Sequence, residues 1–172
     1  MDVLAAIYQP DKVTFYNVVL FVHVVSAIVA FGVVFAYPLF LRVAQRSDPA
    51  SLPYLHRAQG YIGARLITGG ATLLLITGIY MAAASDAYDF SDPFVSAGLV
   101  IVIVLLGLGG GAFAPMERRL AELATRDVGP AAGAPVRLSA EYQAALRRYQ
   151  LVAAGASTLV LVAVFLMVIK PL

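Results

Sequence analysis

The chain has 172 residues, 61% hydrophobic and 13% charged, with a net charge of +2 and a mean hydropathy of +0.86. A water-soluble domain of this length cannot bury so much apolar surface, so lipid must form part of its solvent. With no cysteine and only His23 and His56 as histidines, disulfides and iron–sulfur ligation are excluded and a Cys/His zinc site is disfavoured.

The opening "MDVLAAIYQPDKVTFYN" lacks a basic stretch, and the apolar run after it is too long for a signal peptide, so that run reads as a retained membrane helix. Four continuously apolar segments follow, at about 15–43, 61–84, 94–114 and 151–169, each matching the roughly 20 helical residues a hydrocarbon core requires. Lipid-spanning strands would alternate in polarity, and these runs do not. The expectation is an all-α, integral membrane four-helix bundle, up-down-up-down, with residues 1–172 as a single transmembrane domain.

Arg42, Arg46 and Arg57 lie between the first two segments, and Arg118, Arg119, Arg126, Arg137, Arg147 and Arg148 between the last two. The connection "ASDAYDFSDP" carries Asp86, Asp89 and Asp92 and no Lys or Arg. The positive-inside rule therefore predicts a multi-pass protein of the inner (cytoplasmic) membrane with both termini outside. In the last connection, "APMERRLAELATRD" reads as an extension of the third helix in which Glu117, Arg118, Glu122 and Arg126 compensate one another. "VGPAAGAPV" then breaks the helix, and Ser139 reads as the N-cap of the fourth.

Within the spans, Gly60, Gly63, Gly70 and Thr77 share one stripe of the second helix, and Gly107 with Gly109 to Gly111 should let neighbours approach the third. No intramembrane acid marks a proton or cation route. His23 is the polar exception in "NVVLFVHVVSAIVAFG" and shares a face with Tyr16, Ser26, Ala27, Ala30 and Tyr37. That face should point inward, where an imidazole needs a partner. A Ser, Thr or Tyr hydroxyl on a neighbouring helix is the simplest partner; axial ligation of a haem iron is the sharper alternative, and an ion or proton role the third. Arg65 either snorkels to the interface or turns inward near Arg57 and His56, where it would hold a propionate or phosphate. Lys170, in "VIKPL", suits an interface anchor.

"HVVSAIVAFGVVFAYPLFLRV" and the closing "LMVIKPL" resemble an uncharacterised bacterial four-helix membrane family over nearly the whole chain. The architecture is more distantly similar to the CopD-type copper-resistance proteins and the HemJ-type protoporphyrinogen oxidases. His23, Gly32, Pro38, Lys170 and Pro171 match the HemJ pattern loosely. The chain lacks that family's further histidine in the later apolar spans, and its "MERRL" follows the third helix instead of the first. Bis-histidine haem and protoporphyrinogen oxidation are therefore unsupported.

Three functions stand open. The first is haem-binding or redox-linked, with haem b ligated by His23 and its propionates near Arg65 or Lys170. The second is a non-catalytic subunit or assembly factor, docking other membrane-protein subunits or a second copy through the glycine-rich faces. The third is a small transporter or metal-handling protein, for which methionines spread along the chain make a weak copper path. The arginines flank lipid spans and compensate nearby acids, so no nucleic-acid partner is expected. No motif settles whether the protein is an enzyme.

Overall fold

A computed structural model describes residues 14–129 and 135–170. Four helices dominate: α1 Phe15–Ser47, α2 Pro49–Ala83, α3 Pro93–Val128 and α4 Ala140–Ile169. All four are long and apolar enough to cross a membrane, and no strand occurs among the described residues. Their lengths of 33, 35, 36 and 30 residues correspond to about 45–54 Å, well beyond a hydrocarbon core of about 30 Å. Each helix therefore carries a length that the bilayer does not need.

Most of the surplus lies at the arginine-bearing end. The stretch expected as a connection between the first two spans is helical almost throughout, and Asp48 alone interrupts it, at φ −153° and ψ 76°. Proline explains this correction. Pro49 and Pro53 both occupy the first turns of new helical segments, where a missing N–H costs nothing. α3 does run past the membrane to Val128 as its sequence suggests. Ser139 caps α4, its hydroxyl accepting the Tyr142 amide at 3.2 Å. The breaker "VGPAAGAPV" falls partly outside the described residues, as do the segment before Thr14 and Pro171.

The core is layered along the bundle. At the basic end Leu41, Leu52, Leu120, Leu123, Tyr142 and Tyr149 pack together from all four helices. Midway, Ala30, Phe31, Ala71, Leu74, Val102 and Val160 form a second layer. At the acidic end Ala82, Phe94 and Val95 pack with Leu166 near the end of α4. The beginning of one helix thus meets the end of the next, and successive helices are antiparallel. Phe21, Ile28, Ile76, Val100, Ile103 and Phe165 remain exposed outside, a surface fit for lipid.

Three helices depart from α geometry at mid-length. α1 tightens into a 3-10 turn at Gly32–Phe35 just before Pro38, while α2 and α3 widen into π turns at Gly63–Ile67 and Gly109–Phe113. In α3 the cause is legible: Pro115 would drive its ring into the carbonyl of Gly111 in a regular helix, and the extra residue of a π turn relieves that clash. Gly107, Gly110 and Gly111 do not serve close helix packing as their composition suggests, whereas a Cβ at Gly109 would lie 3.9 Å from Thr68 Oγ1. A Cβ at Gly107, Gly110 or Gly111 would meet nothing within 4 Å. The close approaches lie elsewhere, at Gly70 against Ala30 and at Gly98 against Met167. In the acidic connection, the Ser91 hydroxyl and amide hold the Asp89 carboxyl below its usual range.

Candidate functional site

Where the helices widen they line a partly open cavity of about 560 Å³. Gly63, Ala64 and Ile67 of the α2 π turn, and Gly109, Gly110 and Phe113 of the α3 π turn, form part of its wall. Phe31, Leu105, Ala153 and Val160 make it predominantly apolar. Paired π turns lining one cavity suit a binding site, because the bulge displaces backbone that would otherwise fill the space.

The polar residues of that wall are few, and three matter. Glu117 lies about 36 Å along α3 from Pro93, near the basic boundary of the lipid, and is only 6% exposed. Its Oε1 accepts a hydrogen bond from the Tyr149 hydroxyl at 3.2 Å. The Tyr149 ring is itself braced edge-on by Phe113, with centroids 5.7 Å apart. The third residue, Tyr37, is also 6% exposed, and its hydroxyl has no hydrogen-bond partner. A buried hydroxyl left unmatched on a cavity wall is uncommon and calls for an explanation.

Glu117 corrects two expectations. It is not one of a set of compensating surface charges. Among the described residues the ion pairs join Arg119 to Glu122 and Glu141, and Arg126 to Asp127 and Glu141. It also supplies a carboxyl group buried against an apolar cavity, where the apolar spans themselves carry no acid. Its position near the end of an apolar run and within "MERRL" made it read as solvated.

A second cavity, about 820 Å³, lies on the other side of the same wall. It shares Gly60, Ala64, Ala114 and Glu117 with the first and is otherwise lined by His56, Arg57, Arg118 and Arg126, among others. His56 is fully buried and its Nε2 shares a 2.9 Å hydrogen bond with the Tyr142 hydroxyl. Its Nδ1 and both polar atoms of neighbouring Gln59 have no partner.

The residues singled out in sequence are not brought together. Half-buried His23 faces α2, as its helical face suggests, with Ser26, Ala30 and Tyr37 buried along the same side. Its Nδ1 lies 3.0 Å from Thr77 Oγ1. The Thr77 hydroxyl donates to the Leu73 carbonyl at 2.8 Å, so His23 Nδ1–H is the donor and Nε2 keeps its lone pair. Gly78 leaves room for the ring, since a Cβ there would lie 3.2 Å from Cε1. Arg65, exposed, reaches out over the Tyr61 ring at 5.9 Å, about 18 Å along α2 from Thr77. Lys170 lies at the acidic end with Nζ 5.0 Å from the Tyr88 ring. Tyr88 in turn hydrogen-bonds Tyr16, about 10 Å along α1 from His23. None of the three lines the 560 Å³ cavity, and no cluster of three or more His, Asp or Glu suited to a metal ion occurs among the described residues.

No curated protein and no solved structure matches the chain. A family model described as "Predicted integral membrane protein" matches residues 17–171, in line with the resemblance to an uncharacterised membrane family. Four helices with lipid-compatible faces agree with that description, and the chain belongs to the DUF2269 family of integral membrane proteins.

Proposed function

We propose that the protein binds a lipophilic small molecule inside the bilayer, with its body in the π-turn cavity and its polar head at Glu117, Tyr149 and Tyr37. The observation that carries this reading is the pairing of an apolar cavity with a buried hydroxyl on its wall, that of Tyr37, that the protein itself leaves unmatched. Pockets for small molecules combine these features: apolar walls for affinity and a few polar groups for orientation. The proposed setting is the inner membrane with the arginine-rich end in the cytoplasm, which places the head near the cytoplasmic boundary.

The test is binding of the neutral fluorophore N-phenyl-1-naphthylamine to the protein in lipid nanodiscs. Saturable fluorescence above that of empty discs is expected, with a several-fold weaker Kd for Gly110→Leu. Gly110 lines the cavity and has nothing within 4 Å of a built Cβ, so the larger side chain occupies ligand space without a clash at its root. Linear, unsaturable fluorescence identical in both variants would refute the reading.

A second reading keeps His23 as the axial ligand of a haem b. It is supported by the donor role of Nδ1 toward Thr77, which orients the ring and frees Nε2, the arrangement that metal-ligating histidines use. A Soret band in the purified, haem-supplemented protein that disappears in His23→Ala is the expected result. A spectrum without the band rejects this reading and leaves the cavity proposal untouched.

A further inference from the structure

We infer that the cavity selects a lipophilic cation, a molecule with an ammonium-type head, and that Glu117 is its counter-charge. This rests on the reading of the cavity as a lipophile site. Glu117 receives one hydrogen bond, at Oε1 from Tyr149, and takes part in none of the ion pairs found among the described residues. Its Oε2 faces α2 at Gly60 and Gly63, where a built Cβ would lie 3.3 and 3.8 Å away. No side chain of α2 at those positions can partner it, because there is none.

A carboxylate held in an apolar setting needs an opposite charge, or it must carry a proton. An ammonium brings that charge, and its N–H groups suit the free face of the carboxylate. Tyr37 offers a lone pair to the same head, and its hydroxyl is buried on the same wall without a partner. A neutral alcohol would satisfy hydrogen bonding alone, and a carboxylate head would be repelled by Glu117. The cations around the site do not replace the ligand. Arg42 on the cavity wall, and Arg57, Arg118 and Arg126 around the second cavity, are all exposed, where water and salt screen them.

The test compares three probes of equal chain length, decylammonium, decanol and decanoate, as competitors of N-phenyl-1-naphthylamine at neutral pH. Wild type, Glu117→Gln and Tyr37→Phe are placed in nanodiscs of one lipid composition, so partition into lipid is common to all. In wild type, decylammonium should displace the dye at a roughly tenfold lower concentration than decanol, as a charge-assisted hydrogen bond requires. Glu117→Gln should abolish that advantage and Tyr37→Phe reduce it, with decanol weakened less than decylammonium in both. Equal displacement by ammonium and alcohol in wild type overturns the inference and leaves the lipophile site standing. Preference for decanoate also overturns it, handing the head to Arg42. No saturable dye binding overturns the site itself. Each probe's displacing concentration is referred to its own partition into empty discs, so the wild-type comparison stands even where Glu117→Gln folds poorly.

Discussion

Replacing Tyr149 and Tyr37 by phenylalanine removes the same atom from two points on one cavity wall, yet the effects on stability should differ in sign. The Tyr149 hydroxyl donates to Glu117 at 3.2 Å. Phenylalanine keeps the ring contact with Phe113 but leaves the buried carboxyl without its donor, a loss of about 1–3 kcal/mol. The Tyr37 hydroxyl has no partner to lose. Removing it relieves an unmatched desolvated group, so Tyr37→Phe should be neutral or stabilising by up to about 1 kcal/mol in the unliganded protein. At about 2–4 °C per kcal/mol for a chain of this size, Tyr149→Phe should lower Tm by roughly 2–12 °C and Tyr37→Phe should hold or raise it. Thermal unfolding in ligand-free detergent, followed by circular dichroism, reads both. Equal losses in the two variants would mean that Tyr37 has a partner within the protein, and the idea of a ligand-directed hydroxyl would fall.

Two other substitutions probe the fold that holds the cavity. Gly70→Ala should destabilise by about 1–3 kcal/mol, since its Cβ would come within 2.9 Å of Ala30 Cβ and 3.4 Å of backbone atoms that cannot rotate away; Gly107→Ala, with nothing within 4 Å, should instead be neutral or stabilising by up to about 1 kcal/mol. Denaturation of the pair in one detergent tests this, and a ranking in the opposite order would contradict the helix register. Thr77→Val removes the acceptor of His23 Nδ1–H and should cost about 0.5–1.5 kcal/mol. An unchanged midpoint would show that His23 is held by something else.

The membrane character, the four helices and the inward face of His23 are legible because they depend on composition and helical period, which a single chain displays. The extent of the helices is less so. The span limits follow the lipid, whereas α1 and α2 continue as helix through Arg46 and Arg57, where charge does not forbid helix and Asp48 alone breaks it. The site was hidden for a different reason. Glu117, Tyr37 and Tyr149 come from three helices and meet only once the bundle is assembled, and an acid beside two arginines looks solvated. One signal is present: glycines four to six residues before Pro115, and a further pair at Gly60 and Gly63, mark places where backbone geometry yields or a neighbour comes close. Their composition suggests packing, and in part they frame a cavity.

The most direct test is photolabelling with a diazirine-bearing alkylamine in membranes, mapped by mass spectrometry with and without excess unlabelled decylammonium. Competitor-sensitive labelling of cavity residues such as Leu105, Ala153 and Val160 is expected, while outward residues such as Val100 and Phe165 should label without competition. Labelling confined to the outward set, or insensitive to competitor everywhere, would contradict a ligand site between the helices.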